Sequence, residues 1–215
     1  MRLFYVIYPE DKRLQVYLDA LRLIINPTEK RLTHVTVRGP IKKHYSKIEL
    51  QHWNAIIDET SISVNGVGFF FNQNQNTVFL KCESSALKEI WKKSEYGYNP
   101  HITLYDGNLR DQAVRLLEIL NKYNYNFTFP ISSLSPLISI RGQQDFDIKF
   151  SINEDLKIVS DVIQETIDFS QLDRVPETKR LLYINRLCRH ISLFNTFSEQ
   201  RTIKTRASQI SIAIP

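Results

Sequence analysis

Cysteine and glycine are scarce in this chain, and each scarcity excludes a class of protein. The two cysteines, Cys82 and Cys188, lie far apart and outside any CxxC. A disulfide scaffold and a cysteine-rich zinc site are thereby excluded, and a reducing cytoplasm is the expected home. Only six glycines occur, and none builds a phosphate cradle. Gly66-Val67-Gly68 runs into Phe69-Phe70-Phe71, so the third glycine of a dinucleotide fingerprint is missing, and no GxxxxGK followed by Ser or Thr exists. Long apolar runs are lacking too. The stretch Leu3 to Tyr8 is too short for a signal h-region and passes straight into Pro9-Glu10-Asp11-Lys12-Arg13, so neither a leader nor a membrane span is expected.

What is present describes an ordinary globular chain: 215 residues, 42% hydrophobic, 24% charged and 11% aromatic, enough for one large core or two small ones. Aromatic and β-branched residues make residues 2–9 a strand closed by Pro9. Leu14, Tyr17, Leu18, Leu21, Ile24 and Ile25 recur at helical spacing between Glu10 and Asn26. Leu32 to Val37 reads as a second strand broken by Gly39-Pro40, and Lys47 to Glu59 as a helix. Ser61 to Phe71 and Thr77 to Lys81 read as two strands joined by a polar turn. A similar order recurs: a helix from Ser84 to Ser94, a strand from His101 to Tyr105 broken by Asp106-Gly107, and a helix from Leu109 to Tyr123. Strands near Tyr125 to Pro130 and Phe146 to Phe150 follow. Short turns between several strands predict an α+β protein with mostly antiparallel sheets, not a doubly wound parallel one.

The last third differs. Ser151 to Phe169 carries Leu156, Val159, Val162, Ile163 and Ile167 on one helical face. A second helix from Pro176 presents Leu181, Ile184, Leu187, Cys188, Ile191 and Phe194. Ile210 to Ile214 alternates like a strand that adds to a sheet edge, its own or a partner's. The expected organisation is a domain over 1–150 and a helical, basic extension over 151–215 packed on it, which leaves oligomerisation through the extension open.

The chemistry concentrates in two matching frames, His34-Val35-Thr36-Val37 and His101-Ile102-Thr103-Leu104. In a strand, His and Thr two apart share one face while Val35 or Ile102 points into the core. Five His and twelve Thr in this length predict about 0.3 HxT by chance, so a pair in similar strand contexts favours function over two half-buried strand histidines. Two imidazoles flanking a phosphodiester make chemical sense: a neutral ring takes a proton from water and a protonated one gives a proton to the departing oxygen. The threonine hydroxyls serve the non-bridging oxygens. Such a site calls for no metal and no cofactor, and the chain lacks HxH, HxxxH or clustered carboxylates.

The duplicated HxTx, in the forms HVTV and PHITL, resembles the 2H phosphoesterase superfamily, which includes RNA 2′,3′-cyclic phosphodiesterases and bacterial 2′-5′ RNA ligase proteins. The resemblance covers roughly 1–150. It implies a bilobal fold, two pseudo-symmetric sheets with outer helices and a central groove. It also implies metal-independent hydrolysis or transfer at 2′,3′-cyclic or 2′-5′ phosphates. His34, Thr36, His101 and Thr103 are then catalytic, with His34 the general acid and His101 the general base. The implied partner is RNA or a small cyclic or 2′-5′-linked oligonucleotide, with hydrolysis and end-joining both open. A nucleic-acid-binding module that holds phosphate without turnover, and an assembly protein dominated by its C-terminal segment, are the rival classes.

Arg38 and Tyr105, each four residues past a motif histidine, are candidates to clamp a phosphate and stack on a base, and Tyr96 and Tyr98 to line the groove. The Phe69-Phe70-Phe71 stripe reads as a buried strand, and His190 as a surface residue. Charge is distributed unevenly. Residues 1–173 hold 20 basic and 21 acidic side chains, whereas 174–215 hold eight basic and two acidic ones, which places any grip on a nucleic-acid backbone in 174–215.

Overall fold

The computed structural model describes residues 2–29, 31–91, 97–139 and 152–194. The first strand, β1 (Arg2–Ile7), is buried on both faces, with Leu3, Tyr5, Val6 and Ile7 at most 1% exposed. The Asp11 carboxylate caps the next element by accepting from the Arg13 and Leu14 backbone N–H groups, and helix α1 (Lys12–Ile25) follows. Strand β2 (Val35–Ile41) returns antiparallel to β1. A capping box between Ser46 and Glu49 starts α2 (Lys47–Ile57), which leads into a long hairpin, β3 (Thr60–Phe71) and β4 (Asn76–Glu83). The short α3 (Ser85–Ile90) connects to β5 (His101–Gly107), then come α4 (Arg110–Leu120), β6 (Asn126–Ile131) and β7 (Ser135–Ser139). Helix α5 (Ile152–Ile163), a 3-10 turn over Phe169–Arg174 and α6 (Glu177–Ser192) complete the described chain.

The architecture is α+β and every strand pair is antiparallel, but the strands form one seven-stranded sheet, ordered β6-β3-β4-β5-β2-β1-β7, where two sheets were expected. The reason is a seam. Strands β2 and β5 meet at the single registered pair Val35↔Ile102, which joins a three-stranded half to a four-stranded one. The two motif strands therefore lie side by side. Each is reached by the same route, a strand, a helix and an antiparallel return: β1-α1-β2 and β4-α3-β5.

The sheet is also curled. A flat seven-stranded sheet holds its outer strands about 29 Å apart. The link from Ile131 in β6 to Ser135 in β7 spans at most about 14 Å, so the two edges approach each other. Both edge strands carry a proline, Pro130 and Pro136, whose missing N–H discourages further pairing.

Helices α1 and α4 cover one face, over buried Val35, Leu80, Ile102 and Leu104. Helix α6 lies against α1, α4 and α5 through Tyr183, Ile184, Leu187, Cys188 and Ile191, so the described part of the extension is packed on the core. His190 is half-buried there, its ring edge-on to Tyr17 at 4.6 Å, not a surface residue. Two strands run on past the breakers named above. Residues Gly39 and Pro40 lie within β2, with Gly39 at φ +127°, and Asp106-Gly107 within β5. Helix α5 ends at Ile163, short of Phe169. The expected strands at 146–150 and 210–214, and Tyr96, fall outside the described residues.

Candidate active site

The seam assembles both motifs. Val35 and Ile102 pair and point to the helices. Continuing that antiparallel register by one residue each way sets His34 across from Thr103 and Thr36 across from His101, all on the opposite face. Direct neighbours on such a face have Cβ atoms about 5 Å apart and diagonal ones about 7–8 Å. In that continued register the two histidines fall on the diagonal, a spacing that admits a phosphate between their rings.

Both rings are held alike. His34 Nδ1 lies 2.7 Å from the Leu32 carbonyl oxygen and His101 Nδ1 lies 2.8 Å from that of Asn99, in each case two residues upstream. A carbonyl oxygen only accepts, so Nδ1–H donates and the neutral ring keeps a bare Nε2. Neither Nε2 and neither Thr36 nor Thr103 hydroxyl has a hydrogen-bond partner among the described residues. Burial pushes both imidazoles down. His34 falls to about 4, with Arg22 and Arg31 adding to the effect and the Leu32 bond opposing it. His101 falls as well, against the upward pull of the Asn99 bond and of Asp106.

Behind His34 lies a polar network. Asp19, 3% exposed on α1, accepts from the Thr33 N–H at 2.6 Å, from the Thr33 hydroxyl at 2.5 Å and from Gln15 Nε2 at 2.8 Å. One turn later Arg22, 5% exposed, pairs with Glu29 at 3.0 Å and reaches the Leu32 carbonyl at 3.5 Å. Glu29 in turn takes two side-chain bonds from Arg31, at 2.9 and 3.0 Å. Burial alone would raise the Glu29 carboxyl, but the Arg31 bonds and the Arg22 charge outweigh it and hold the group at about 2. The Leu32 oxygen thus serves Arg22 and His34 together. Every described residue from Arg31 to Thr33 is tied directly, or through Glu29, to α1.

Around His101 the neighbours are aromatic. Phe79, cross-strand from Thr103, packs on the His101 ring at 4.6 Å, and Phe70 sits edge-on at 6.0 Å. Phe70 and Phe79 are 4.8 Å apart. Gly68 makes room: a Cβ there would stand 2.4 Å from Phe79 Cε2. The stripe is not a buried strand, since Phe69 is 52% and Phe70 42% exposed. Lys81, directly across from His101, shares the site face and is exposed.

Neither a family model nor a curated protein matches the chain.

Two equivalent bulges decide the placement of the remaining candidates. On β2 the register passes from Val6↔Thr36 to Tyr5↔Arg38, and on β5 from Phe79↔Thr103 to Val78↔Tyr105, so Val37 and Leu104 are the extra residues. Each bulge turns the position four past the histidine off the His/Thr face. Tyr105 closes the core edge instead of offering a stacking surface: it is 4% exposed and its hydroxyl donates to the Leu109 carbonyl. Arg38 is turned off the His/Thr face, its guanidinium 4.6 Å from the Trp53 ring centroid and 6.0 Å from that of Tyr45. Tyr98 is pinned between α3 and the loop, its hydroxyl donating to the Ser84 carbonyl and accepting from the Ser84 N–H.

Tyr8, Phe70, Phe79, Lys81 and the Asp19–Arg22 network surround the motifs and escaped the sequence reading. Tyr8 packs edge-on against His34 at 6.0 Å. In 174–215, Lys179 pairs with Glu165 and Arg186 donates to the Ile163 carbonyl, so part of the basic excess is used inside the fold. Among the described residues no group of three His, Cys, Asp or Glu side chains forms a metal-binding cluster.

Proposed function

We propose that the protein is a phosphodiesterase that cleaves a 2′,3′-cyclic or 2′-5′ phosphodiester with two imidazoles, within a bilobal, pseudo-symmetric 2H phosphoesterase-like fold. One observation carries the reading. Both histidines are locked through Nδ1 to a carbonyl two residues upstream, so two bare Nε2 atoms share a face with two free threonine hydroxyls. The repeated β-α-β route and the paired bulges support the two-lobed symmetry. The exposed Phe70 beside His101 offers a stacking face for a nucleobase.

The chemistry follows from those atoms. Water attacks phosphorus and passes its proton to one Nε2. The phosphorus–oxygen bond to the ribose breaks, and the other ring's Nε2–H protonates the departing oxygen. Thr36 and Thr103 donate to the non-bridging oxygens as charge gathers there. Both rings are neutral at rest, and the charge of a bound phosphate raises them. We assign His101, where Asp106 pulls upward against burial, as the acid, and His34, lowered by burial with Arg22 and Arg31 adding to it, as the base. This division is the reverse of the one the family resemblance implies.

The test is turnover of 2′,3′-cyclic nucleotides and short 2′-5′-linked oligonucleotides by wild type, His34→Ala and His101→Ala, in EDTA. Each single variant is expected to lose at least about a hundredfold. A substrate with an acidic p-nitrophenol leaving group needs no acid, so it restores His101→Ala and not His34→Ala. No wild-type turnover across the panel sinks the enzyme reading, loss in EDTA sinks the metal-free route, and restoration of His34→Ala alone reverses the two roles.

A further inference from the structure

We propose that Lys81 and Phe70 form a nucleotide-holding subsite on the His101 side, one that takes a phosphate 5′ to the ribose in addition to the phosphate being cleaved. The inference rests on the phosphodiesterase reading and names its substrate class.

The cations of the site are distributed one-sidedly. On the His34 side, Arg22 and Arg31 are both bonded to Glu29, and Arg38 is stacked on Trp53. Arg22 and Arg31 are thus held by Glu29, and Arg38 is turned off the His/Thr face. On the His101 side Lys81 has no ion pair with any described residue, and it faces the site directly across from His101. Its stem passes over the β3 backbone, where an ideal Cβ on Gly68 would stand 3.2 Å from Lys81 Cε. Its backbone is one strand spacing, about 5 Å, from that of His101, and the stem leaning over β3 carries the ammonium farther out. A flexible ammonium at that distance suits the next phosphate along a ribose, not the one between the histidines, which already has two rings and two hydroxyls.

The base has a place beside it. Phe70 is 42% exposed, braced by Phe79 at 4.8 Å and 6.0 Å from His101. A ring stacked there leaves its ribose over His101 and its 5′-phosphate within reach of Lys81. An RNA 3′ end with a cyclic phosphate has that chemistry, and so does a free nucleotide bearing both groups.

The experiment compares three substrates: a nucleoside 2′,3′-cyclic phosphate, its 5′-phosphorylated form and a dinucleotide with the same cyclic end. Wild type is expected to favour the second and third by about tenfold in kcat/KM, the size of one hydrogen bond to a charged group, with the gain in KM. Lys81→Met should bring that ratio close to one, whereas Phe70→Ala should lower all three together. A wild-type ratio near one, or a ratio unchanged in Lys81→Met, overturns the proposal. A preference for the dinucleotide alone restricts the subsite to an RNA end. Binding of a nucleoside 5′-monophosphate, which holds no cleavable diester, provides a readout free of turnover. It should weaken about tenfold in Lys81→Met, and equal binding overturns the subsite. If no cyclic substrate is cleaved but this binding still depends on Lys81, the phosphodiesterase reading fails and the subsite stands.

Discussion

The two histidine halves share a frame and differ in what surrounds it. Strand, helix, return strand, motif, carbonyl lock and bulge repeat from β1-α1-β2 to β4-α3-β5. Behind His34 stand buried charges, Asp19 and Arg22, that fasten the incoming loop to α1. Around His101 stand Phe79 and Phe70, with a lysine next to them that has no ion pair among the described residues. The frame sets where an imidazole sits, whereas its neighbours set its charge and what it meets. On the reading proposed above, a substrate bound across the site has a direction, with its planar, additionally charged end over the aromatic half.

Removing the polar anchor should separate the two halves most, since among the described residues no buried charge supports His101. Asp19→Ala strips a buried acceptor from the Thr33 N–H, the Thr33 hydroxyl and Gln15 at once. The expected cost is about 3 kcal/mol, because the donors left behind stay buried. Chemical denaturation measures that cost. In hydrogen exchange the loss should localise to 26–34, with β5 protected as before. Equal loosening of both motif strands would show that Asp19 supports the whole core and not one half.

How much of this was legible in the sequence follows the range of the interactions. The HxT pairs are local, so alternation alone placed His34 with Thr36 and His101 with Thr103 on shared faces. Helix α1 was legible from its apolar period, but nothing local marked Asp19 and Arg22, because only the loop that folds over them buries them. A bulge is a property of two strands, so nothing in Arg38 or Tyr105 betrayed that each is turned away from its motif. Lys81 depends on the β4–β5 register in the same way. Strand β7 escaped because it is five residues long and contains Pro136, tolerable only because it lies at the edge.

The aromatic half is perturbed by a single methyl. In Gly68→Ala the new carbon meets Phe79 Cε2 at 2.4 Å and Cζ at 2.6 Å, so that ring must leave its seat against His101. Overpacking of this kind costs about 1–3 kcal/mol. The imidazole signals of His101 should shift in NMR while those of His34 stay fixed. If both sets move together, the seam couples the halves and the comparison fails.

The mildest probe is pH. His34 titrates at about 4 in the fold and near its ordinary value of 6.5 when unfolded. Between those values the unfolded chain binds the proton and the native one does not, so stability rises with pH across that window. The contribution is complete above about 6.5 and is lost as pH falls toward 4. Glu29, at about 2 in the fold against 4.5, contributes in the same direction but lower, from 4.5 down to 2. Urea midpoints measured from pH 7 to pH 2 should therefore decline in two limbs. His34→Gln should flatten the upper limb and Glu29→Gln the lower one. Arg22→Met tests the link between them: without the guanidinium on the Leu32 carbonyl, the His34 titration moves up toward 6.5 and the upper limb shrinks. His101, whose Asn99 carbonyl is far from that cation in sequence and lies in the loop before the other motif strand, should titrate as before. A His34 titration unmoved in a folded Arg22→Met protein would mean that burial alone keeps the ring neutral, and the charged half would then differ from the aromatic one only in how it is anchored.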